Sequence, residues 1–165
     1  MDKKPILYII MRNDLLSMNA GKAMAQASHA SAQFVKKMSE NKSEALEQWL
    51  NEGYNFGTTV VLEANKSNLT DFMVNIQDYN YILSVGKIID TSYPFKGQLE
   101  LLRLLSPEDY LTYNIQEIDS DIDKYGMKLC TRTEHTCSWT FFYGTDEEHK
   151  KFKELCEQFN IHLHR

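Results

Sequence analysis

A row of polar side chains near the start of the chain has the residue types and the spacing for chemistry. Steps of three or four residues from Lys22 reach Gln26, His29, Gln33 and then Lys36 or Lys37, which places all of them on one stripe of a helix. Lys22 falls within one turn of the predicted helix start, where unpaired backbone N–H groups and the helix dipole already favour negative charge. The row therefore predicts an anion site, and its structural alternative is the solvated side of an amphipathic helix.

The distribution of charge supports an anionic ligand at this helix. The chain has a formal net charge of −5, which argues against a general nucleic-acid binder because Lys and Arg supply the nonspecific affinity for phosphates. Residues 1–37, however, hold six basic and two acidic side chains, a local charge of +4, and the rest of the chain has a charge of −9. We therefore expect a polyanion to dock near the first helix.

The residues around the helix start match a longer pattern. The matching positions are Arg12, Asp14, Leu15, Met18, Gly21, Lys22, Ala25, Gln26, His29 and Ala30. Together they resemble the opening signature of the type 2 peptidyl-tRNA hydrolases, a strand ending in Arg-x-Asp-Leu followed by Met-x-x-Gly-Lys and Ala-Gln-x-x-His-Ala. The loop before Met18 is one residue longer than in that signature.

A second family motif is split in this chain. Family members carry Asp-x-Gly-Arg-Thr after the third strand and another threonine at the start of the next strand. Asp90 resembles the aspartate, Arg132 and Thr133 resemble the Arg-Thr pair, and Thr140 resembles the second threonine. An insertion at about 91–126 explains why the two halves of the motif are separated in the sequence. If the inserted residues fold apart from the rest of the domain, Asp90 and Thr133 can still lie close together.

The resemblance implies hydrolysis of the ester bond of peptidyl-tRNA. This reaction is an acyl transfer to water in which a negative oxygen develops, and a cation can stabilise that oxygen or bind the neighbouring phosphates. The implied catalytic residues are Lys22, Asp90, Thr133 and Thr140, and the implied substrate-binding residues are Arg12, Asn19, Gln26, His29 and Arg132. The scheme needs no metal and no organic cofactor, so none is predicted.

Two other functions remain as alternatives. The first is a catalytically inactive module on the same fold that binds RNA or a protein, which the split motif favours. The second is a hydrolase or transferase that acts on another small substrate. No specific feature of the sequence supports this second alternative. A zinc site or a cysteine nucleophile around Cys130, His135 and Cys137 is disfavoured, because the paired spacing of structural zinc sites is missing and the cysteines lie in or beside predicted strands.

The order of predicted elements indicates an α/β fold. Strands are expected at 3–12, 58–63, 87–90, 127–130 and 139–143. Helices are expected from a cap at Asn19 or Ser17 to about residue 38, at 43–50, at 68–76, and from the acidic turn at 146–148 to about residue 159. This order is typical of a three-layer α/β/α sandwich with a mixed sheet of four to five strands. We expect one domain over residues 1–165, interrupted by the insertion.

The remaining sequence features indicate the cellular compartment of the protein. No apolar run approaches the roughly 18 residues that a membrane span needs, and the start of the chain lacks a signal-peptide cleavage site. Three cysteines without a close CxxC pair suit a reducing compartment better than a disulfide framework. We therefore expect a cytoplasmic protein with no membrane partner. Whether it forms a homodimer stays open.

Overall fold

The structure is a computed structural model that describes residues 2–15, 18–92, 116–118 and 129–164, and the side chains at 91–133 lie outside this description. The chain divides into two compact units, Met1–Ile88 with Thr136–Arg165, and Ile89–His135. The predicted insertion falls mostly outside the described residues. Its role as an insertion into one domain remains a prediction.

The strands of the described chain form a mixed sheet. They are β1 (Lys4–Arg12), β2 (Thr59–Ala64), β3 (Ile82–Ser92), β4 (Gln116–Ile118), β5 (Leu129–Gly144) and β6 (His162–Leu163). The sheet order is β3-β5-β1-β2-β6. β1 runs parallel to β2 and antiparallel to β5, and β2 runs antiparallel to β6. In the second unit, β4 pairs with the start of β5 in antiparallel fashion. The predicted mixed sheet is confirmed.

Each of the four described helices starts at a polar N-cap. The helices are α1 (Ala20–Ser39), α2 (Glu44–Asn51), α3 (Lys66–Ile76) and α4 (Asp146–Gln158), and their caps are Asn19, Ser43, Asn65 and Thr145. In every case the cap side chain accepts a hydrogen bond from a backbone N–H three residues on, which satisfies one of the donors that a helix start leaves unpaired. These four caps explain why the helix starts could be placed from the sequence to within two or three residues.

Helices cover both faces of the sheet. Leu7, Ile9 and Met11 of β1 pack in one core cluster with side chains of α1 and α2, such as Phe34. Tyr8 and Ile10 point the other way and pack in a second cluster with side chains of α3 and α4. The strand alternation of β1 therefore separates two apolar layers, and the predicted three-layer α/β/α sandwich is confirmed.

β5 differs from the sequence prediction. Two separate strands were expected at 127–130 and 139–143, but residues 129–144 form one strand of 16 residues. The polar stretch between the expected strands is buried rather than looped out, since Glu134, Thr136 and Ser138 are at most 2% exposed. Polar residues in a fully covered strand interrupt the apolar pattern by which a strand is recognised in a sequence.

Within the described ranges, none of the helices combines the length and apolar character that crossing a membrane requires.

Candidate active site

Lys22 lies in the first turn of α1. The Asn19 side chain accepts a hydrogen bond from the Lys22 backbone N–H over 2.9 Å, and the Asn19 carbonyl accepts one from Ala23 over 2.9 Å. Of the two predicted caps, Asn19 and Ser17, Asn19 is the N-cap of α1. The half-buried Lys22 side chain starts at the positive end of the helix dipole. This arrangement favours a negatively charged group near the Lys22 ammonium.

Gln26 lies one turn further along α1 and is buried, with 3% of its surface exposed. Its Oε1 accepts a 2.8 Å hydrogen bond from the hydroxyl of Thr136 on β5, and Thr136 itself is fully buried. Sequence reasoning did not single out Thr136.

The polar row of α1 continues against the sheet. The Trp139 indole N–H donates a 2.7 Å hydrogen bond to Gln33 Oε1, and Lys37 Nζ donates one of 2.6 Å to the carbonyl of Val85. His29, by contrast, is exposed. The interpretation of the row as a merely solvated helix face is therefore wrong for Gln26, which is buried. Gln33 is exposed, although its amide also accepts a hydrogen bond from a buried side chain of β5.

Arg12 and Asp14 form an ion pair at the end of β1. The Arg12 guanidinium is 5% exposed, and its Nε donates a 2.9 Å hydrogen bond to Asp14 Oδ1. Asp14 Oδ2 accepts a 3.1 Å hydrogen bond from the backbone N–H of Lys66, the first residue of α3. Burial alone raises the pKa of Asp14, but the hydrogen bonds from Arg12 and Lys66 and the charge of Arg12 hold that pKa below its ordinary value. The pair connects the loop before α1 to the start of α3.

Thr140 lies on the other face of the sheet from α1. It is opposite Tyr8 in the β1–β5 register, it is fully buried, and its hydroxyl contacts the sulfur of Met73 on α3 at 3.7 Å. Strand alternation places residues 137, 139 and 141 on the α1 side, so the structure does not bring the Thr140 hydroxyl together with Lys22.

The other half of the predicted site belongs to the second unit. Asp90 is half-buried on β3. Arg132 and Thr133 lie on β5, but their side chains are outside the described residues. The roles of these three residues remain predictions.

The alternatives based on cysteine lack a reactive thiol among the described side chains. Burial raises the pKa of Cys137 to about 12, with a hydrogen bond from Thr136 acting in the opposite direction. Burial likewise raises the pKa of Cys156 to about 12. The thiolate is the nucleophile and the zinc ligand, so these two cysteines are suited to packing. The described part of the chain also holds no group of three His, Cys, Asp or Glu side chains placed to bind a metal ion.

A comparison with models of protein families assigns the chain to a family. The family model of peptidyl-tRNA hydrolase PTH2 matches residues 6–92, just over half of the chain of 165 residues. The chain belongs to this family, and the resemblance drawn from its opening motif is confirmed. The match includes Lys22 and Asp90, while Arg132, Thr133 and Thr140 lie beyond it. No curated protein matches the chain.

Proposed function

We propose that this protein hydrolyses the ester bond of peptidyl-tRNA and releases the peptide and the tRNA. The observation that carries the proposal is the position of Lys22, whose side chain leaves the first turn of α1 directly after the Asn19 cap, inside the segment that matches the family. A cation at a capped helix start can stabilise a negative oxygen without prior rearrangement.

The reaction makes one bond and breaks one. A water oxygen attacks the ester carbonyl carbon, the carbonyl oxygen becomes negative, and the bond to the ribose oxygen then breaks. Lys22 stabilises the negative oxygen, Asp90 accepts the proton of the water, and Asp90 then returns this proton to the ribose oxygen as that oxygen leaves. Thr133 orients the water or the carbonyl, and His29 and Arg132 contact the nucleotide end.

Three predicted substrate ligands receive different roles in this proposal. Asn19 caps α1, Gln26 joins α1 to Thr136, and Arg12 pairs with Asp14. Each hydrogen bond fixes a backbone segment next to Lys22. These residues therefore act by positioning Lys22, and Thr140 is left out because its hydroxyl is buried against Met73.

The test measures peptide release from an N-blocked aminoacyl-tRNA by the wild-type protein and by Lys22→Ala. Loss of one oxyanion-stabilising group lowers kcat by about 10²- to 10³-fold, while circular dichroism should show an intact fold. Lys150→Ala on α4, an exposed lysine on the opposite layer, is the matched control and should keep full turnover. Full turnover of Lys22→Ala would remove Lys22 from the mechanism, and tRNA binding without ester cleavage by the wild-type protein would support a non-catalytic binding module.

A further inference from the structure

β3 forms one edge of the described sheet. It pairs with β5 on one side, and among the strands that the structure describes none pairs with its outer side. Unpaired N–H and C=O groups of an edge strand can pair with a strand of another chain. The sequence of residues 82–89 is suited to such pairing, because it is mostly apolar and has a single charge, on Lys87, and no proline. Leu83 and Ile89 are also 44% and 51% exposed.

Hydrogen bonds show which carbonyls of β3 face the outer side. The Ile88 carbonyl accepts a 3.5 Å hydrogen bond from the hydroxyl of Thr136 on β5, so it faces its neighbour in the sheet. Residues along an antiparallel strand bond to the two sides alternately. The carbonyls of Lys87 and Val85 on either side of residue 86 therefore face outward.

The alternation of β3 is shifted once before Val85. The Tyr81 carbonyl accepts a 2.8 Å hydrogen bond from the Tyr143 N–H and faces β5, and regular alternation would turn Val85 the same way. Ile82 and Val85, however, both pack against the second core cluster, whereas residues three apart in a regular strand lie on opposite faces. One extra residue between them, a β-bulge, explains both observations, and bulges at a sheet edge hinder further pairing.

Two side chains of α1 cover the outward carbonyls. Lys37 Nζ donates a 2.6 Å hydrogen bond to the Val85 carbonyl, and Gln33 Nε2 donates one of 3.5 Å to the Lys87 carbonyl. Trp139 holds both side chains in place, since its indole N–H donates to Gln33 Oε1 over 2.7 Å and its ring centre lies 5.5 Å from Lys37 Nζ. A strand from another molecule would have to displace both side chains from this edge.

We propose that Gln33 and Lys37 block the outer edge of β3 against pairing with the β3 edge of a second copy of the chain. A second copy fits this edge because two identical segments can pair in antiparallel fashion about a twofold axis, with only one lysine charge on each. Pairing would separate the Lys37 ammonium from the Val85 carbonyl and cover it with another chain. Burial of a charge without its partner is costly, so the contact keeps the edges apart. This role does not depend on the proposed hydrolase activity.

The test replaces Lys37 by methionine, which has a long side chain but no charge and no N–H donor. Sedimentation equilibrium measures the average mass as a function of protein concentration. Lys37→Met should associate at a concentration at least about tenfold lower than the wild type, the factor expected for one hydrogen bond to a charged group. Lys37→Arg keeps the charge and the donors and should match the wild type. Lys36→Met changes the adjacent exposed lysine in the same way and should also match it.

A second substitution locates the contact at β3. The N–H of residue 87 faces outward with its carbonyl, so proline at this position spares the bonds to β5 and removes an outward donor. Lys37→Met/Lys87→Pro should therefore return to the wild-type mass curve. Hydrogen exchange of associated Lys37→Met should show added protection at residues 82–88.

Three outcomes would overturn the proposal. They are a wild-type mass curve for Lys37→Met, an equal rise in mass for Lys36→Met, and association without added protection at residues 82–88. Lys37→Ala repeats the comparison with a residue that favours helix, and circular dichroism verifies that each variant is folded. Association of Lys37→Met and Lys37→Ala alone, through residues 82–88, would support the block.

Discussion

The hydroxyl of Thr136 on β5 donates a 2.8 Å hydrogen bond to Oε1 of Gln26 on α1, and both side chains are buried. This bond joins the sheet to the helix one turn beyond Lys22. A buried polar pair is stable only while both partners are present, because neither can turn to water instead. Removal of either partner alone therefore leaves the other buried without this hydrogen bond.

Replacing Thr136 by valine should lower the free energy of unfolding by about 1–3 kcal/mol, since the buried Gln26 oxygen loses its donor. Urea denaturation followed by circular dichroism measures the change. Thr136→Ser keeps the hydroxyl and should recover most of the loss. A valine variant as stable as the wild type would show that the bond contributes nothing.

Asp14→Asn should destabilise the protein at neutral pH by about 1 kcal/mol, because the charged partner of Arg12 and of the α3 amide is lost. The pKa of Asp14 is lowered in the folded protein, so the carboxylate contributes stability above its ordinary pKa of 3.8, and this contribution is lost as pH falls through the folded-state pKa. The difference between variant and wild type should therefore shrink below pH 3.8.

Urea denaturation curves at several pH values check the Asp14 prediction. Asp71→Asn on the exposed side of α3 is the control for loss of one carboxylate. A stability difference that stays constant down to acid pH would assign the effect to side-chain shape instead of charge.

Gly86→Ala should be strongly destabilising. A Cβ at residue 86 would lie 2.2 Å from Nε1 of Trp139, whose indole is fully buried and cannot move aside without losing its bond to Gln33. Overpacking of this kind costs about 1–3 kcal/mol. Gly21→Ala at the start of α1 is the matched control, because its Cβ meets Asn19 only at 3.4 Å. The control should be neutral or slightly stabilising, and equal effects of the two substitutions would contradict the close approach at Gly86.

His149→Gln should make stability less sensitive to mild acid. His149 on α4 hydrogen-bonds to the Tyr8 hydroxyl, and its pKa is lowered, first by burial and then by the charge of Lys153, with Asp146 acting in the opposite direction and Lys4 in the same one. The unfolded chain therefore takes up a proton at a higher pH than the folded chain, and stability falls as pH drops below 6.5. Glutamine cannot take up this proton.

Melting curves at about pH 7.5 and about pH 5.5 check the His149 prediction. The wild type should lose more stability between the two pH values than His149→Gln does. His162→Gln, at an exposed position of β6, should behave like the wild type. The same loss in all three proteins would mean that His149 has no part in the acid sensitivity.

Most of the fold of the first unit followed from local signals in the sequence. The apolar run from Ile6 to Met11 is typical of a strand covered on both faces, and β1 is such a strand. A cap at Asn19 or Ser17 was expected at the start of α1, and Asn19 is that cap. These features depend on neighbouring residues only, and side-chain hydrogen bonding and strand alternation determine them directly.

The candidate site was harder to predict because it depends on contacts between distant residues. Helical periodicity placed Gln26 in a row of polar residues. Only the position of β5 shows that the Gln26 side chain is buried and hydrogen-bonds to Thr136. Thr140 matched a family motif by residue type, yet strand alternation directs its side chain to Met73. Residue type and spacing within one element cannot reveal which face another element covers.

Both tryptophans of the chain lie against the same ring. Trp49 of α2 and Trp139 of β5 have centroids 5.1 and 5.5 Å from that of Phe34 on α1, and the second core cluster contains tyrosine and phenylalanine but no tryptophan. Intrinsic tryptophan emission therefore reports the detachment of α1, the helix that carries Lys22. The chain thus contains its own optical probe for the element on which the proposed chemistry depends.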